Sequence, residues 1–373
     1  MQVKKIKIVI DCRDLQIAKT GSKTYLSEIL LAFSKLNYED VEFIEIHPNR
    51  KIEFSNSFLG KLKKHISFIY WKNISLPIKA KALQADVLIC TDYFLPICNF
   101  GMRRVVVFHD AFFWEYPLHY NPFWLKLFYH WAVPAAKKAD VILVPSYYVQ
   151  KRLNEWMKLP LEKYRVVYEA PKTIINAMSQ SSVSDRFENH TKYLLHVGSL
   201  SKHKNLPFLI RAFKKATKED CQDWELLLVG GAPSSNADND AGSIINTIAE
   251  EEMQDKIHLI GFVPDELLHS YYTNASGYVF PSYNEGFGLP VLEAMKFHLP
   301  IIASNNTCLP EIAQNAAIYF DPYNMNDLIQ ALSKLMNRDN EVNISLSNHS
   351  AVLNRYSWSK SVLEITEICK AVI

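Results

Sequence analysis

The stretch Pro281–Ala303 reads PSYNEGFGLPVLEAMKFHLPIIA. Just ahead of it, Tyr278-Val279-Phe280 is a short apolar run, the mark of a buried strand. The run stops at Pro281 and Ser282, and a tight loop follows in which Gly286 and Gly288 flank Phe287. Pro290 suits the first turn of a helix, where a missing N–H leaves nothing unsatisfied. Leu292, Met295 and Leu299 give that helix an apolar face. A further strand, Ile301–Ser304, comes after it. Strand, loop, helix, strand is the repeating unit of a parallel α/β sheet. Two carboxylates bracket the loop: Glu285 within it, and Glu293 in what reads as the first helical turn.

Such a unit can hold a nucleotide diphosphate sugar. Glycine lets backbone come close to a ligand, and a helix N-terminus offers free N–H groups and partial positive charge to phosphate. A carboxylate beside an anion answers to something else, most simply sugar hydroxyls. Glu293 suits a ribose diol, and Glu285 the transferred sugar. On the residues alone, an ordinary strand–loop–helix with exposed glutamates fits as well. The stretch resembles the Glu-x7-Glu motif of retaining GT-B fold glycosyltransferases of family four (group 1). Glu285 and Glu293 hold the spacing, and FGLPVLEAM is similar throughout. The resemblance implies that Glu285 faces the donor sugar, that Glu293 binds the ribose, and that Gly286, Phe287, Gly288 and Leu289 line the donor.

Working outward, the 373 residues are 49% hydrophobic and 21% charged, the proportions of globular chains with sizeable cores. The length suggests two domains. A formal charge of +2 gives no reason to expect a nucleic-acid partner. Six scattered cysteines without a CxxC pair read as reduced thiols in a cytoplasmic protein, and no apolar run reaches 18 residues. The strand–helix alternation predicts two Rossmann-like doubly wound domains facing each other across a cleft. The first spans 1–175, with the last helix, 356–373, packing back on it as the resemblance implies. A polar, serine-rich linker covers 171–190, and the second domain spans 190–355.

In the first domain, Lys7–Asp11 reads as a strand. The loop Thr20–Tyr25 and a helix over 26–33 follow. The family's loop here is TGxGRY-like, which makes Gly21 a donor-side candidate; Lys23 replaces the second glycine. Residues 51–81 are basic, seven lysines against Glu53 alone, with interleaved aromatics. They read either as a solvated helix face whose aromatics enter the core, or as a peripheral contact with anionic membrane. His109 follows a strand directly. The family carries a histidine in a similar HD pair, which implies that His109 points at the transferred sugar and that Asp110 orients it.

In the second domain, Lys202, His203 and Lys204 put positive charge before a helix, suited to a diphosphate. The family reads GxLxPRKN here. Lys204 matches its lysine, and His203 stands where the arginine's bidentate fork would be. The segment Ile257–Pro264 is similar to the one that holds the base, making Val263 a candidate contact. Asp238-Asn239-Asp240 sits in a polar, flexible-looking loop, so no metal and no cofactor is expected.

The implied activity is transfer of a hexose, mannose or similar, from a GDP- or UDP-linked donor to a saccharide or lipid-linked acceptor, with retention and without metal. Cell-surface polysaccharide synthesis is the expected setting. A nucleotide-sugar epimerase, a phosphorylase of similar fold, or a catalytically silent sugar-binding homologue are the alternatives.

Overall fold

The computed structural model describes residues 5–18, 21–36, 38–49, 57–98, 100–173, 192–217, 223–233 and 237–373. The linker expected over 171–190 and the start of the basic 51–81 segment fall largely outside them. The chain divides into two compact units. One comprises 1–117, 122–169 and 357–373, the other 118–121 and 170–356.

The first unit holds a six-stranded parallel sheet: β1 Ile6–Asp11, β2 Val41–Ile46, β3 Val87–Cys90, β4 Arg103–Val107, β5 Val141–Val144 and β6 Tyr164–Val166. Its spatial order is β2-β1-β3-β4-β5-β6. Central strands such as VLIC and VILV are buried at every residue, as parallel strands covered on both faces must be. Connections leave β1 in one direction and return to β3 on its other side. The order therefore reverses between β1 and β3, the place where open α/β sheets bind ligands. After β5, Ser146 caps the Tyr147–Met157 helix by accepting from the Val149 N–H, as its place before the helix leads one to expect. The Trp358–Ala371 helix runs beside the Gly21–Lys35 helix. There Trp358 meets the Tyr25 ring edge-on at 5.8 Å, and Ser361 Oγ donates to the Tyr168 carbonyl at 2.6 Å.

The second unit repeats the plan with β7 Lys192–Val197, β8 Trp224–Val229, β9 Ile257–Gly261, β10 Gly277–Phe280, β11 Ile301–Ser304 and β12 Ile318–Phe320. Its order is β12-β11-β10-β7-β8-β9, again all parallel. Here the reversal falls between β7 and β10. The core is built on Leu194, Leu226, Val279 and Ile302 from the sheet and on Leu209, Phe213, Leu328 and Leu332 from the helices above it. Each such side chain contributes about 1.5–3 kcal/mol on burial. Gly230 locks β8 to β7: its φ is +144°, and a Cβ there would lie 1.8 Å from the Gly198 carbonyl oxygen.

Four expectations are corrected by the described residues. Gly21–Tyr25 is not a loop but the opening of the Gly21–Lys35 helix, because Tyr25 and Leu26 must both face the core from its first turns. Glu293 is the fifth residue of the Leu289–Lys296 helix, beyond its first turn. Gly288, at φ +91°, supplies the left-handed residue that starts this helix one position earlier than Pro290. Lys72 does not belong to a basic surface: it is wholly buried. The described part of the Gly231–Gly242 loop is pinned rather than loose. Asn239 bridges to Ser201, and the Lys202 N–H donates to the Asp238 carbonyl at 3.0 Å.

Candidate active site

The reversal between β7 and β10 is where the second unit gathers its charged side chains. The loop after β7 winds Lys202–Lys204 into a short turn. Asn205, at φ +58°, then redirects the chain into the Leu206–Thr217 helix. The loop after β10 brings Glu285 to the same place. Lys204 Nζ donates to Glu285 Oε1 at 2.6 Å, and both side chains are about one-tenth exposed. The ammonium also lies 4.8 Å from the centre of the Phe280 ring. Burial alone would push the Glu285 carboxyl up. Lys204, His203 and the Ser282 hydroxyl outweigh it and hold the group below its ordinary value, as a carboxylate. The two loops are also stitched through backbone, since the Tyr283 N–H donates to the His203 carbonyl at 2.8 Å. The Cys308 thiol donates to the Glu285 carbonyl at 3.3 Å.

His196 on β7 adds a group that a strand reading of Leu194–Gly198 passes over. Its Nδ1–H donates to the Val279 carbonyl at 3.0 Å. Burial lowers its pKa to about 4, so the ring is neutral and Nε2 is an acceptor. Nε2 is buried and has no partner. A Cβ at Gly198 would sit 3.2 Å from this nitrogen and 3.4 Å from Lys204 Cε. The glycine thus keeps His196 and Lys204 close under one patch of backbone. Only the tertiary pairing of β7 with β10 brings His196 to this place; nothing in its spacing marks it.

Glu293 takes different company. It is buried, and the Tyr272 hydroxyl donates to its Oε2 at 3.0 Å. Burial pushes its carboxyl up, against Lys172 and the Tyr272 hydrogen bond. Tyr272 is itself stacked on Phe297 at 5.0 Å, nearly parallel. Neither glutamate is the exposed side chain of an ordinary loop. Phe287 is buried against Tyr356, Gly286 and Leu289 are half-buried, and Val263 is half-buried beside a strongly exposed Phe262.

The arginine's place is filled unevenly. Lys202 is exposed, and its ammonium donates to the Ala237 carbonyl at 2.7 Å. His203 Nδ1 lies 3.6 Å from Asp238 Oδ2, and His119 Nδ1 lies 3.0 Å from Asp238 Oδ1. Asp238 is therefore flanked by imidazoles, while Asp240 stands at the start of the Ala241–Glu250 helix. The two carboxylates are separated by what holds each of them.

In the first unit His109 follows β4. Its Nε2 lies 2.9 Å from the Thr91 carbonyl and its Nδ1 lies 3.4 Å from Glu169 Oε1. Both neighbours are hydrogen-bond acceptors, an arrangement that favours a proton on each ring nitrogen. Burial opposes the charge, but Glu169, Thr91 and Asp110 together raise the pKa above its ordinary value. Tyr25 packs edge-on at 4.9 Å. Glu169 thus orients this histidine. Asp110, expected in that role, adds to the same pKa rise while its Oδ1 accepts from the Phe112 N–H. Gly21, four residues before Tyr25, is exposed, and an added Cβ would meet nothing within 4 Å; no close approach within the protein requires glycine there.

A second group in this unit went unforeseen. At the β1/β3 reversal, Lys72 Nζ donates to Asp11 Oδ2 at 2.7 Å and to Asp92. Trp71 Nε1 donates to Asp11 Oδ1 at 2.9 Å. Burial works against the ammonium; Asp11 and Asp92 overcome it and hold its pKa above the ordinary value. The basic count over 51–81 hid this lysine, because composition does not distinguish a solvated charge from a paired one.

Residues 21–170 match the description Glycosyltransferase Family 4, and residues 179–349 match Glycosyl transferases group 1. The chain is 25% identical over 291 residues to the O-antigen chain mannosyltransferase RfbU of Salmonella typhimurium, covering 78% of this chain and 74% of that one. It is 30% identical over 167 residues to O-antigen chain mannosyltransferase B of Escherichia coli, covering 44% and 42%. Among solved structures, Anabaena HepE in complex with UDP-glucose superposes with a TM-score of 0.71 at 16% identity, over 98% of this chain and 100% of that one. Sucrose-phosphate synthase from Thermosynechococcus elongatus superposes with a TM-score of 0.70 at 15% identity, over 99% of each.

Proposed function

Since the chain belongs to the family 4, group 1 glycosyltransferases and has the GT-B fold, we propose that it moves a hexosyl group, mannosyl or similar, from a GDP- or UDP-linked donor to a saccharide or lipid-linked acceptor, with retention at the anomeric carbon and without a metal. Cell-surface polysaccharide synthesis is the setting that its mannosyltransferase relatives favour. The observation that carries the reading is the buried Lys204–Glu285 pair at the β7/β10 reversal.

In that pair a cation suited to diphosphate is matched to a carboxylate suited to sugar hydroxyls. When the donor binds, its phosphates take the ammonium, and Glu285 turns its oxygens to the sugar. The C1–O bond to phosphate then breaks as positive charge grows at C1. Lys204 and the backbone N–H groups of the loops meet the charge developing on the leaving diphosphate. The acceptor oxygen bonds C1 on the face the diphosphate leaves, and its proton passes to the departing phosphate oxygen. Glu293 binds the ribose, and Tyr272 fixes its rotamer. His109, Gly21, Lys202, His203, Val263 and the Gly286–Leu289 turn complete the assignment that family resemblance implies.

The enzyme also docks peripherally on anionic membrane. On the Phe58–Tyr70 helix, Leu59, Leu62, Ile66, Ile69 and Tyr70 are exposed at helical spacing, beside exposed Lys63 and Lys64. Phe68 and Trp71 turn inward. No helix among the described residues is long and apolar enough to cross a membrane.

A thermal-shift panel of nucleotide sugars, followed by NMR of the product's anomeric configuration, tests the central reading. A rise in melting temperature with one donor and an α product from an α donor are expected. No shift with any donor, or an inverted product, refutes it. Transfer abolished by a chelator and restored by manganese would refute metal independence.

A further inference from the structure

The carboxyl ends of β1 and β2 bring together three side chains that sugar transfer does not use. Side chains two apart on a strand share a face of the sheet. The register sets Ile10 beside Glu45 and Asp11 beside Ile46, and the Cys12 N–H extends the ladder to the Ile46 carbonyl at 3.0 Å. Glu45 and His47 therefore share a face at the end of β2, with Cys12 alongside. One ligand atom from each of Cys12, Glu45 and His47 lies within 4.8 Å of the other two. Glu45 Oε2 and His47 Nε2 are 2.8 Å apart. Cys12 is wholly buried while Glu45 and His47 are exposed, so sulfur forms the floor of the group and the other two its open rim. The thiol donates a weak hydrogen bond to the Ile10 carbonyl at 3.5 Å. The nearby Lys79 ammonium is engaged by the His47 carbonyl at 3.0 Å and by Asn49.

We propose that Cys12, Glu45 and His47 are a binding site for a borderline-soft divalent metal of the zinc class. Thiolate, imidazole and carboxylate are all ligands of that class, and three protein ligands leave a fourth, solvent-facing position for water. Calcium and magnesium, which take all-oxygen shells, do not suit a sulfur floor. On binding, the sulfur–metal bond forms as the Cys12 thiol proton passes to solvent, and the Glu45–His47 contact gives way to one bond from each to the metal. The metal ties the end of β1 to that of β2, one residue from Asp11 and its buried lysine. Its task is to brace the first unit, not to serve the sugar donor.

The test uses the full chain with Cys98→Ser and Cys221→Ser, stripped with chelator and titrated with cobalt(II), then zinc(II). Cobalt is expected to give a near-ultraviolet thiolate-to-metal band at one ion per chain that zinc abolishes. Zinc is expected to raise the melting temperature. Cys12→Ser should remove the band, and His47→Gln, at an exposed site, should weaken zinc binding by at least about tenfold. Absence of the band, or zinc affinity unchanged in both variants, overturns the proposal; the latter result identifies adventitious binding at other surface groups.

Discussion

Lys204 Nζ lies 2.6 Å from Glu285 Oε1 although the two residues are 81 positions apart in the chain. Each arrives on a loop from one of two neighbouring strands, β7 and β10, at the point where strand order reverses. Each charge is thereby neutralised by the other in a place almost closed to water, which is the premise of the donor-binding roles proposed for them.

Glu285→Gln is therefore expected to lower kcat by about 10²–10³-fold, the scale of losing one preorganised electrostatic contact. Nucleoside diphosphate affinity should hold or improve, because Lys204 is released. Calorimetry with the free nucleotide separates the two effects. Glu293→Ala should do the reverse, weakening nucleotide binding first. Matching losses in both quantities for both variants would remove the division of roles.

Lys72→Met is expected to cost about 3–5 kcal/mol, because it leaves Asp11 and Asp92 without their buried counter-charge. Urea denaturation reads this directly. Adding Asp11→Asn and Asp92→Asn to the same chain should recover part of the loss; no recovery would mean that the lysine acts through packing alone.

The His109–Glu169 contact sets a pH dependence whose sign follows from the raised imidazole pKa. Below the unfolded value of about 6.5, the pair's stabilisation is fully present. It is lost as pH rises through the higher folded value. Melting temperatures of wild type and Glu169→Gln, compared across pH 5–9 (roughly, to bracket that value), should converge on the alkaline side. Divergence there would contradict the raised pKa of His109.

Membrane docking predicts that Leu62→Glu with Ile66→Glu releases the protein from anionic vesicles. Neutral vesicles should bind wild type poorly, since each basic residue near such a surface adds about 1 kcal/mol. Equal sedimentation of variant and wild type would exclude this helix as the contact.

Local pattern carried much of this in advance. The buried strands were legible as unbroken apolar runs such as VILV and GYVF, because a strand covered on both faces has no polar side to show. The turn at Gly286–Gly288 and the helix after it were legible from glycine and proline chemistry. Two features were not legible locally. Glycine is a weak helix former, and only packing of Tyr25 and Leu26 makes Gly21 the opening of a helix. Lys72 carries a charge that is ordinarily solvated, and only its partners bury it.

By itself, the order of residues determined that there would be two parallel α/β units, and that glutamates, lysines and a histidine would stand at strand ends. Those features depend on neighbours within a few positions. Which of these groups meet was decided only by tertiary structure. Lys204 finds Glu285, His109 finds Glu169, and Lys72 finds Asp11 and Asp92 because strands distant in the chain lie side by side in the sheets. Pairing across such distances follows from sheet order, which local periodicity does not encode.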